Sequence, residues 1–115
     1  MPAAVVHFEV IGKDFETMKR FYGGLFEWQL EPAGPADYAL VEPQEGGIGG
    51  GVGAAGERGY GVTVYAQVPD LDAALARAEE LGGTRVMPPT EVSDTVRVAQ
   101  LKDPEGHLIG LIQGP

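Results

Sequence analysis

Cysteine is absent from this 115-residue chain, and histidine occurs only at His7 and His107. Without thiols the chain has no disulfide, no thiolate nucleophile and no cysteine-ligated zinc. Basic side chains are also scarce, since 8 Lys and Arg stand against 17 Asp and Glu and give a formal net charge of −9. This charge opposes binding to a nucleic-acid backbone, which would require a basic patch that the scattered lysines and arginines do not form.

Long apolar runs are lacking as well. No stretch approaches the ~20 residues that a membrane-spanning helix requires. The start MPAAVVHFEV has no basic region followed by an apolar run, so it does not resemble a signal peptide. We therefore expect a cytoplasmic protein with no nucleic-acid and no membrane partner. A hydrophobic content of 43% predicts a single folded domain, and 18 glycines and 9 prolines predict many turns.

One pattern occurs twice along the chain. Two alternating runs, AVVHFEVI and YGVTVYAQV, are each followed by an aspartate, Asp14 or Asp70, at the N-cap of an amphipathic helix. A glycine pair, Gly23-Gly24 or Gly82-Gly83, is expected to end each helix. The two aspartates are 56 residues apart, which indicates two copies of one βα unit, with a chance likeness of two helices as the alternative. The same offset relates the expected apolar stripes, which are Phe15, Met18, Tyr22 and Leu25 in the first helix and Leu71, Ala74, Ala78 and Leu81 in the second.

Three short strand-like runs follow each helix. They are 27–31, 37–42 and 47–53 in the first half, and 84–88, 95–101 and 107–112 in the second. The segment Lys102–Gly106 has Asp, Pro and Gly in the order that a type I turn favours, which predicts a hairpin. We therefore predict an α+β fold of two tandem βαβββ modules, about 1–56 and 57–115, with a largely antiparallel sheet.

Four segments of the chain resemble a known superfamily. VVHFEV, FYGGLFEWQLE, YAQVPDLDAALARAEELGG and KDPEGHLIGLIQ are similar to the vicinal oxygen chelate superfamily, which includes glyoxalases, bleomycin-resistance proteins and extradiol dioxygenases. Small glyoxalase-like bacterial proteins of unassigned activity are the most similar in character. The resemblance implies that the sheets of the two modules curl around a shared cavity and that the chain forms a homodimer.

Metal-dependent members of this superfamily take one ligand from the first strand and one from the last strand of each module. The resemblance places His7 at the first of these positions, and the repeat places Thr63 at the equivalent one. The last-strand positions fall on Gly110 and within residues 48–51, where no side chain coordinates a metal. A divalent site needs about three protein ligands. We therefore expect no metal and no other cofactor, with His7 as the one surviving candidate ligand and Thr63 and Gly110 at lost ligand positions.

The alternation of polar and apolar residues indicates which strand faces point into the implied cavity. It places His7 and Glu9 together on the first strand, and Thr63, Tyr65 and Gln67 together on the equivalent strand. We predict that these five side chains line a small-molecule cavity. Two alternatives stay open. The five side chains could form the solvent face of an antiparallel sheet, and His7 could be a hydrogen-bonded strand histidine. Further candidates for the cavity wall are Tyr38, Trp28 and Arg97.

The glycines at 51, 53 and 56 match the dinucleotide fingerprint G-x-G-x-x-G. The fingerprint requires a helix immediately after the glycines, and a β-branched strand pattern follows here instead. We interpret these glycines as a strand and a linker between the modules. Whether the glycine-rich segment 46–56 is a mobile lid stays open.

The expected function is metal-free binding of a small organic ligand in the sheet cavity. The resemblance adds that the bleomycin-resistance branch sequesters a drug in this way, and the acidic charge is compatible with a cationic ligand. The alternative is a metal-dependent lyase, isomerase or dioxygenase that uses His7. The His7–Glu9 pair points the same way and suits proton transfer, so whether the protein is an enzyme, and with which catalytic residues, stays open. A third alternative is a dimeric accessory protein without a ligand.

Overall fold

The computed structural model describes residues 2–34, 37–54 and 61–114. The described residues form two helices and eight strands, which confirms the predicted α+β class. The helices are α1 (Phe15–Phe26) and α2 (Leu71–Glu80). The strands are β1 (Val5–Gly12), β2 (Leu30–Pro32), β3 (Tyr38–Val41), β4 (Gly49–Ala54), β5 (Gly61–Val68), β6 (Thr84–Glu91), β7 (Arg97–Lys102) and β8 (Leu108–Gln113). No helix among them is long and apolar enough to cross a membrane.

The chain divides into two compact units. The first unit is His7–Thr63, and the second unit combines residues 1–6 with Val64–Pro115. Residues 1–6 belong with the second unit because, for example, the Ala4 carbonyl accepts a hydrogen bond from the Gln67 amide at 2.8 Å. The boundary therefore falls inside strands β1 and β5 rather than in a linker.

The internal repeat is visible in the bounds of its elements. Strands β1 and β5 begin and end 56 residues apart, and α1 and α2 begin 56 residues apart. Each helix is capped by the predicted aspartate, since Asp14 Oδ1 accepts from the Thr17 amide and Asp70 Oδ1 from the Ala73 amide, both at 3.0 Å. Such caps satisfy amide donors that have no partner within a helix. Two copies of one β–cap–α unit therefore account for the first part of each half of the chain.

The first unit has its strands in the order β2-β3-β4-β1. Strand β1 is parallel to β4, whereas β3 is antiparallel to both of its neighbours. One face of this sheet packs aromatic rings: Phe8 lies 5.4 Å from Trp28, and Trp28 stacks on Tyr22 of α1 at 5.8 Å. The other face carries His7 and Glu9, as the alternation predicted. The largely antiparallel arrangement thus includes a parallel pair at β1 and β4, and a second one at β5 and β8.

Helix α1 continues past the glycine pair at which it was predicted to end. It runs through Gly23-Gly24 to Phe26 and ends where Glu27 adopts a left-handed conformation (φ 57°). Two helical glycines each cost about 0.5–1 kcal/mol relative to alanine. The stacking of Tyr22, Phe26 and Trp28 across the helix end offsets this cost. The predicted strand 27–31 is therefore wrong over its first residues, because this turn returns the chain to the sheet.

The second unit has its strands in the order β5-β8-β7-β6. Its core consists of Leu71 and Leu75 of α2 packed on Ala99 and Leu111. Leu71 was expected in the apolar stripe of α2, but Leu75 was not, and the expected Leu81 is 62% exposed because it lies beyond the last turn. The predicted hairpin at Lys102–Gly106 is present, with the Gly106 amide donating to the Asp103 carbonyl at 2.9 Å.

Candidate functional site

Strand β4 has one face without any side chain. Gly49, Gly51 and Gly53 alternate with residues that face α1, and they lie in register with β1 residues 7, 9 and 11. The segment interpreted as a strand and a linker, for which a mobile lid was left open, is from Gly49 to Ala54 a strand between β1 and β3. Its last two residues, 55 and 56, lie outside the described residues. A strand face of glycines gives a neighbouring side chain direct access to the backbone.

Tyr38 of β3 covers this glycine face. A Cβ atom built at Gly51 would overlap the Tyr38 hydroxyl, and one built at Gly53 would lie 2.7 Å from Tyr38 Cδ2. Real Cβ contacts are not this short, so the two glycines are required by the ring above them. The sequence proposed Tyr38 only as one of three wall residues. The glycines at every second position from 47 to 53 are the signal that a large side chain from a neighbouring strand crosses here.

The Tyr38 hydroxyl joins the two predicted site residues of β1. The hydroxyl donates to Glu9 Oε2 at 3.1 Å, and His7 Nε2 lies 3.1 Å from the hydroxyl oxygen. Since the hydroxyl hydrogen points to Glu9, His7 Nε2 carries the proton that completes the second bond. Burial lowers the pKa of His7 below its ordinary value of 6.5, and the Glu9 carboxylate opposes this effect only in part. His7 is therefore neutral at pH 7 and donates to Tyr38.

The second unit has a corresponding tyrosine on a different strand. Tyr65 of β5 is paired with Gly110 of β8, and a Cβ atom built at Gly110 would overlap the Tyr65 ring. Gln100 Nε2 donates to the Tyr65 hydroxyl at 3.0 Å, and both residues are buried. Tyr65 thus occupies the space that a side chain at Gly110 would take, as Tyr38 does above Gly51 in the first unit.

The other two predicted cavity residues have separate surroundings. Thr63 belongs to the first unit and is 4% exposed, and Gln67 of the second unit is half-buried against Gly114. The structure thus joins His7 and Glu9 through Tyr38 and gives Tyr65 the Gln100 partner. The common cavity of all five residues stays a prediction.

The residues at the superfamily's ligand positions do not fit a divalent metal. His7 offers an imidazole, but its Nε2 is engaged by Tyr38. Gly51 and Gly110 lie under tyrosine rings, and Thr63 offers only a hydroxyl. Nowhere in the described residues do three His, Asp or Glu side chains come together as a metal site would require.

A groove opens where the Tyr38 ring ends. It has a volume of about 250 Å³ and lies between His7 and the segment 40–43, with the backbone of Gly49 and Gly50 as its floor. Leu40 and Gly51 are in register on this face, and Glu42 follows β3 at the rim. Typical small-molecule pockets measure about 300–1,000 Å³, so the groove suits a small ligand or one end of a larger one.

A larger hollow of about 520 Å³ lies at the opposite end of β1. It is lined by residues 10–14, Thr17, Met18 and the start of β5. Its acidic group is Asp14, which already accepts the Thr17 amide as the cap of α1. The hollow is therefore part of the capping geometry rather than a second polar site.

The remaining candidates for the cavity wall are Trp28 and Arg97. Trp28 packs on the opposite face of the first unit, against Phe8. Arg97 lies on β7 two residues before the core residue Ala99, and therefore on the same face of the strand. It donates to Gln113 Oε1 at 3.4 Å. His107 is exposed and pairs with Asp103 at the hairpin.

Comparison with known proteins gives one family and many similar folds. The model of the glyoxalase-like domain matches residues 7–112. A glyoxalase/bleomycin resistance protein/dioxygenase superfamily member from Vibrio splendidus 12B01 superposes with a TM-score of 0.70 at 17% identity, covering 98% of this chain and 100% of that one. A protein from Legionella pneumophila described as an NAD-dependent benzaldehyde dehydrogenase gives 0.69 at 19% identity, covering 99% and 100%. Methylmalonyl-CoA epimerase from Mycobacterium tuberculosis gives 0.67 at 19%, covering 96% and 87%. No curated protein matches. At these identities the structures show the fold alone.

Proposed function

Because this chain belongs to the glyoxalase-like domain family of the vicinal oxygen chelate superfamily, we propose that it binds a small organic ligand without a metal. The binding surface is the His7 face of the first unit. The observation that carries this proposal is the pairing of a groove with a fixed polar group: the glycine floor at Gly49 lies in one groove with His7, whose ring is held by a hydrogen bond to the Tyr38 hydroxyl.

The groove has the two properties that small-molecule sites combine. Leu40 and Pro43 supply apolar surface, and His7 supplies a neutral imidazole at its inner end. Apolar walls provide most of the free energy of binding, while one or two fixed polar groups orient the ligand. The hydrogen bond from His7 to Tyr38 fixes the imidazole before a ligand arrives, which lowers the entropy lost on binding.

The proposal is tested by NMR titration of the ¹⁵N-labelled chain with a set of small organic compounds in the presence of EDTA. Binders are expected to shift the amide signals of Gly49 and Gly50. Leu40→Trp places a larger side chain over the groove from an exposed position, so it should weaken binding at least about tenfold. The matched control, Leu81→Trp, alters an exposed leucine at the end of α2 and should leave binding unchanged. Binding that EDTA abolishes, or that Leu40→Trp does not weaken, would contradict the proposal.

A second candidate is proton transfer at the same face. The His7–Tyr38–Glu9 chain connects an imidazole, a phenol and a carboxylate through two hydrogen bonds of 3.1 Å, an arrangement that suits general acid–base chemistry. The similar fold of methylmalonyl-CoA epimerase is compatible with such a role. Deuterium uptake from D₂O into a bound ligand, lost in Tyr38→Phe while binding is retained, would support this candidate. Ligand binding without any deuterium uptake would leave only the first candidate function, which is binding without catalysis.

A further inference from the structure

We infer that the occupant of the Gly49 groove is a small organic cation: an apolar body about the size of one ring that carries a protonated amine. This inference rests on the proposed binding function and names the ligand class of the same site. It follows from the floor, the walls and the charges of the groove.

The floor limits the size of the ligand. Tyr38 covers β4 above Gly51 and Gly53, and at Gly49 both Pro43 Cδ and the Val41 carbonyl oxygen stand 3.2 Å from a Cβ position. The floor of the groove is therefore bounded by a tyrosine ring at one end and by a proline at the other. The volume of about 250 Å³ accommodates one ring with a short side arm.

The walls exclude an anion. Among the described residues that line the groove, the side chain with a formal charge is Glu42, and neither lysine nor arginine contributes. Glu9 lies outside this lining, and its Oε2 accepts from the Tyr38 hydroxyl. A ligand carboxylate or phosphate would be repelled by the Glu42 carboxylate, whereas an ammonium group would be attracted by it.

His7 does not reverse this balance. Its imidazole is half-buried, and burial keeps its pKa below 6.5, so it adds no positive charge at pH 7. The Glu9 carboxylate on its own strand acts on it, and Glu42 after β3 lines the same groove. The groove is thus neutral at its inner end and acidic at its rim, which orders an amphipathic cation with its ring inside and its ammonium group outside.

Three probes of one size separate the ligand classes: phenethylamine, which is a cation at pH 7, phenethyl alcohol, which is neutral, and 3-phenylpropionate, which is an anion. Each is titrated into the ¹⁵N-labelled chain while the amides of His7, Gly49 and Gly50 are followed. Phenethylamine is expected to bind at least about fivefold more tightly than the alcohol, and the anion most weakly, since one opposite charge at about 4 Å in water corresponds to roughly fivefold.

Charge variants assign the preference to the groove. Glu42→Gln should reduce the preference for the amine over the alcohol about threefold, because it removes the carboxylate at the rim. Glu105→Gln makes the same charge change in the exposed turn of the β7–β8 hairpin and should leave the preference unchanged. An unchanged preference in Glu42→Gln would overturn the inference.

The failures of the two proposals give different results. If the alcohol or the anion shifts the groove amides as strongly as the amine, the ligand class is wrong and the binding function remains. If none of the three probes shifts them, while the set of small organic compounds also fails, the binding function itself is wrong.

Discussion

Replacing Gly51 by alanine tests whether the Tyr38 ring requires a glycine beneath it. The added methyl group would overlap the Tyr38 hydroxyl, so the ring must leave the strand. Tyr38 is only half-buried and is able to rotate outward, but it then loses its hydrogen bonds to His7 and Glu9. Two such bonds at about 1 kcal/mol each, with residual crowding, give an expected loss of about 2–4 kcal/mol in the free energy of unfolding. In a domain of this size that loss lowers Tm by roughly 8–16 °C.

Urea denaturation followed by far-UV circular dichroism measures this free energy, and a double-mutant cycle with Tyr38→Ala isolates the contact. In the Tyr38→Ala background, Gly51→Ala should cost little, since the ring that it displaces is gone. Gly24→Ala is the control, because a Cβ atom there meets nothing within 4 Å in a helix, and it should stabilise by about 0.5–1 kcal/mol. A coupling free energy within about 0.5 kcal/mol of zero would refute the reasoning.

Three further predictions concern the second unit and the pH dependence. Gly110→Ala should lower the free energy of unfolding by at least about 3 kcal/mol, which is more than Gly51→Ala, because the Tyr65 ring is 5% exposed and has no space to move into. A smaller loss in urea denaturation would contradict this. Tyr65→Phe should cost about 1–3 kcal/mol, since the buried Gln100 amide loses its 3.0 Å acceptor, and an unchanged urea midpoint would oppose it. Because the pKa of His7 is lower in the folded chain, His7 takes up a proton at a higher pH in the unfolded chain than in the folded one. The free energy of unfolding should therefore fall as pH drops from about 7 through 6.5 toward the folded-state pKa. His7→Gln should flatten this pH dependence.

The elements with strong periodicity could be predicted from the sequence. The alternation of β1 and β5 and the caps Asp14 and Asp70 place the first half of each module within a residue or two, because side-chain period and capping are local properties. The end of α1 could not, because the tertiary stacking of Trp28 on Tyr22 outweighs the local preference of two glycines to end a helix.

The candidate site could be predicted only in part. The face shared by His7 and Glu9 follows from strand alternation, but the hydroxyl that joins them comes from Tyr38, 29 residues further along the chain than Glu9. Strand β4 has only one β-branched residue among its glycines, so β-propensity barely indicates it, and its register with β1 and β3 is what brings the three side chains together. That register is a tertiary property.

The two tyrosines explain why Gly51 and Gly110, which lie in the stretches that the superfamily resemblance relates to metal ligands, do not readily accommodate a side chain. The repeat relates Glu9 to Tyr65, and the strand pairing relates Gly51 to Gly110, yet the covering ring comes from β3 in the first unit and from β5 in the second. The Cβ atom of any side chain introduced at either glycine, a glutamate included, would overlap the tyrosine ring, wherever the rest of the side chain points. A side chain is therefore accommodated at either position only where the tyrosine above it is replaced by a small residue. Gly51→Glu is accordingly expected to destabilise the chain at least as much as Gly51→Ala, and to be tolerated in a Tyr38→Ala background.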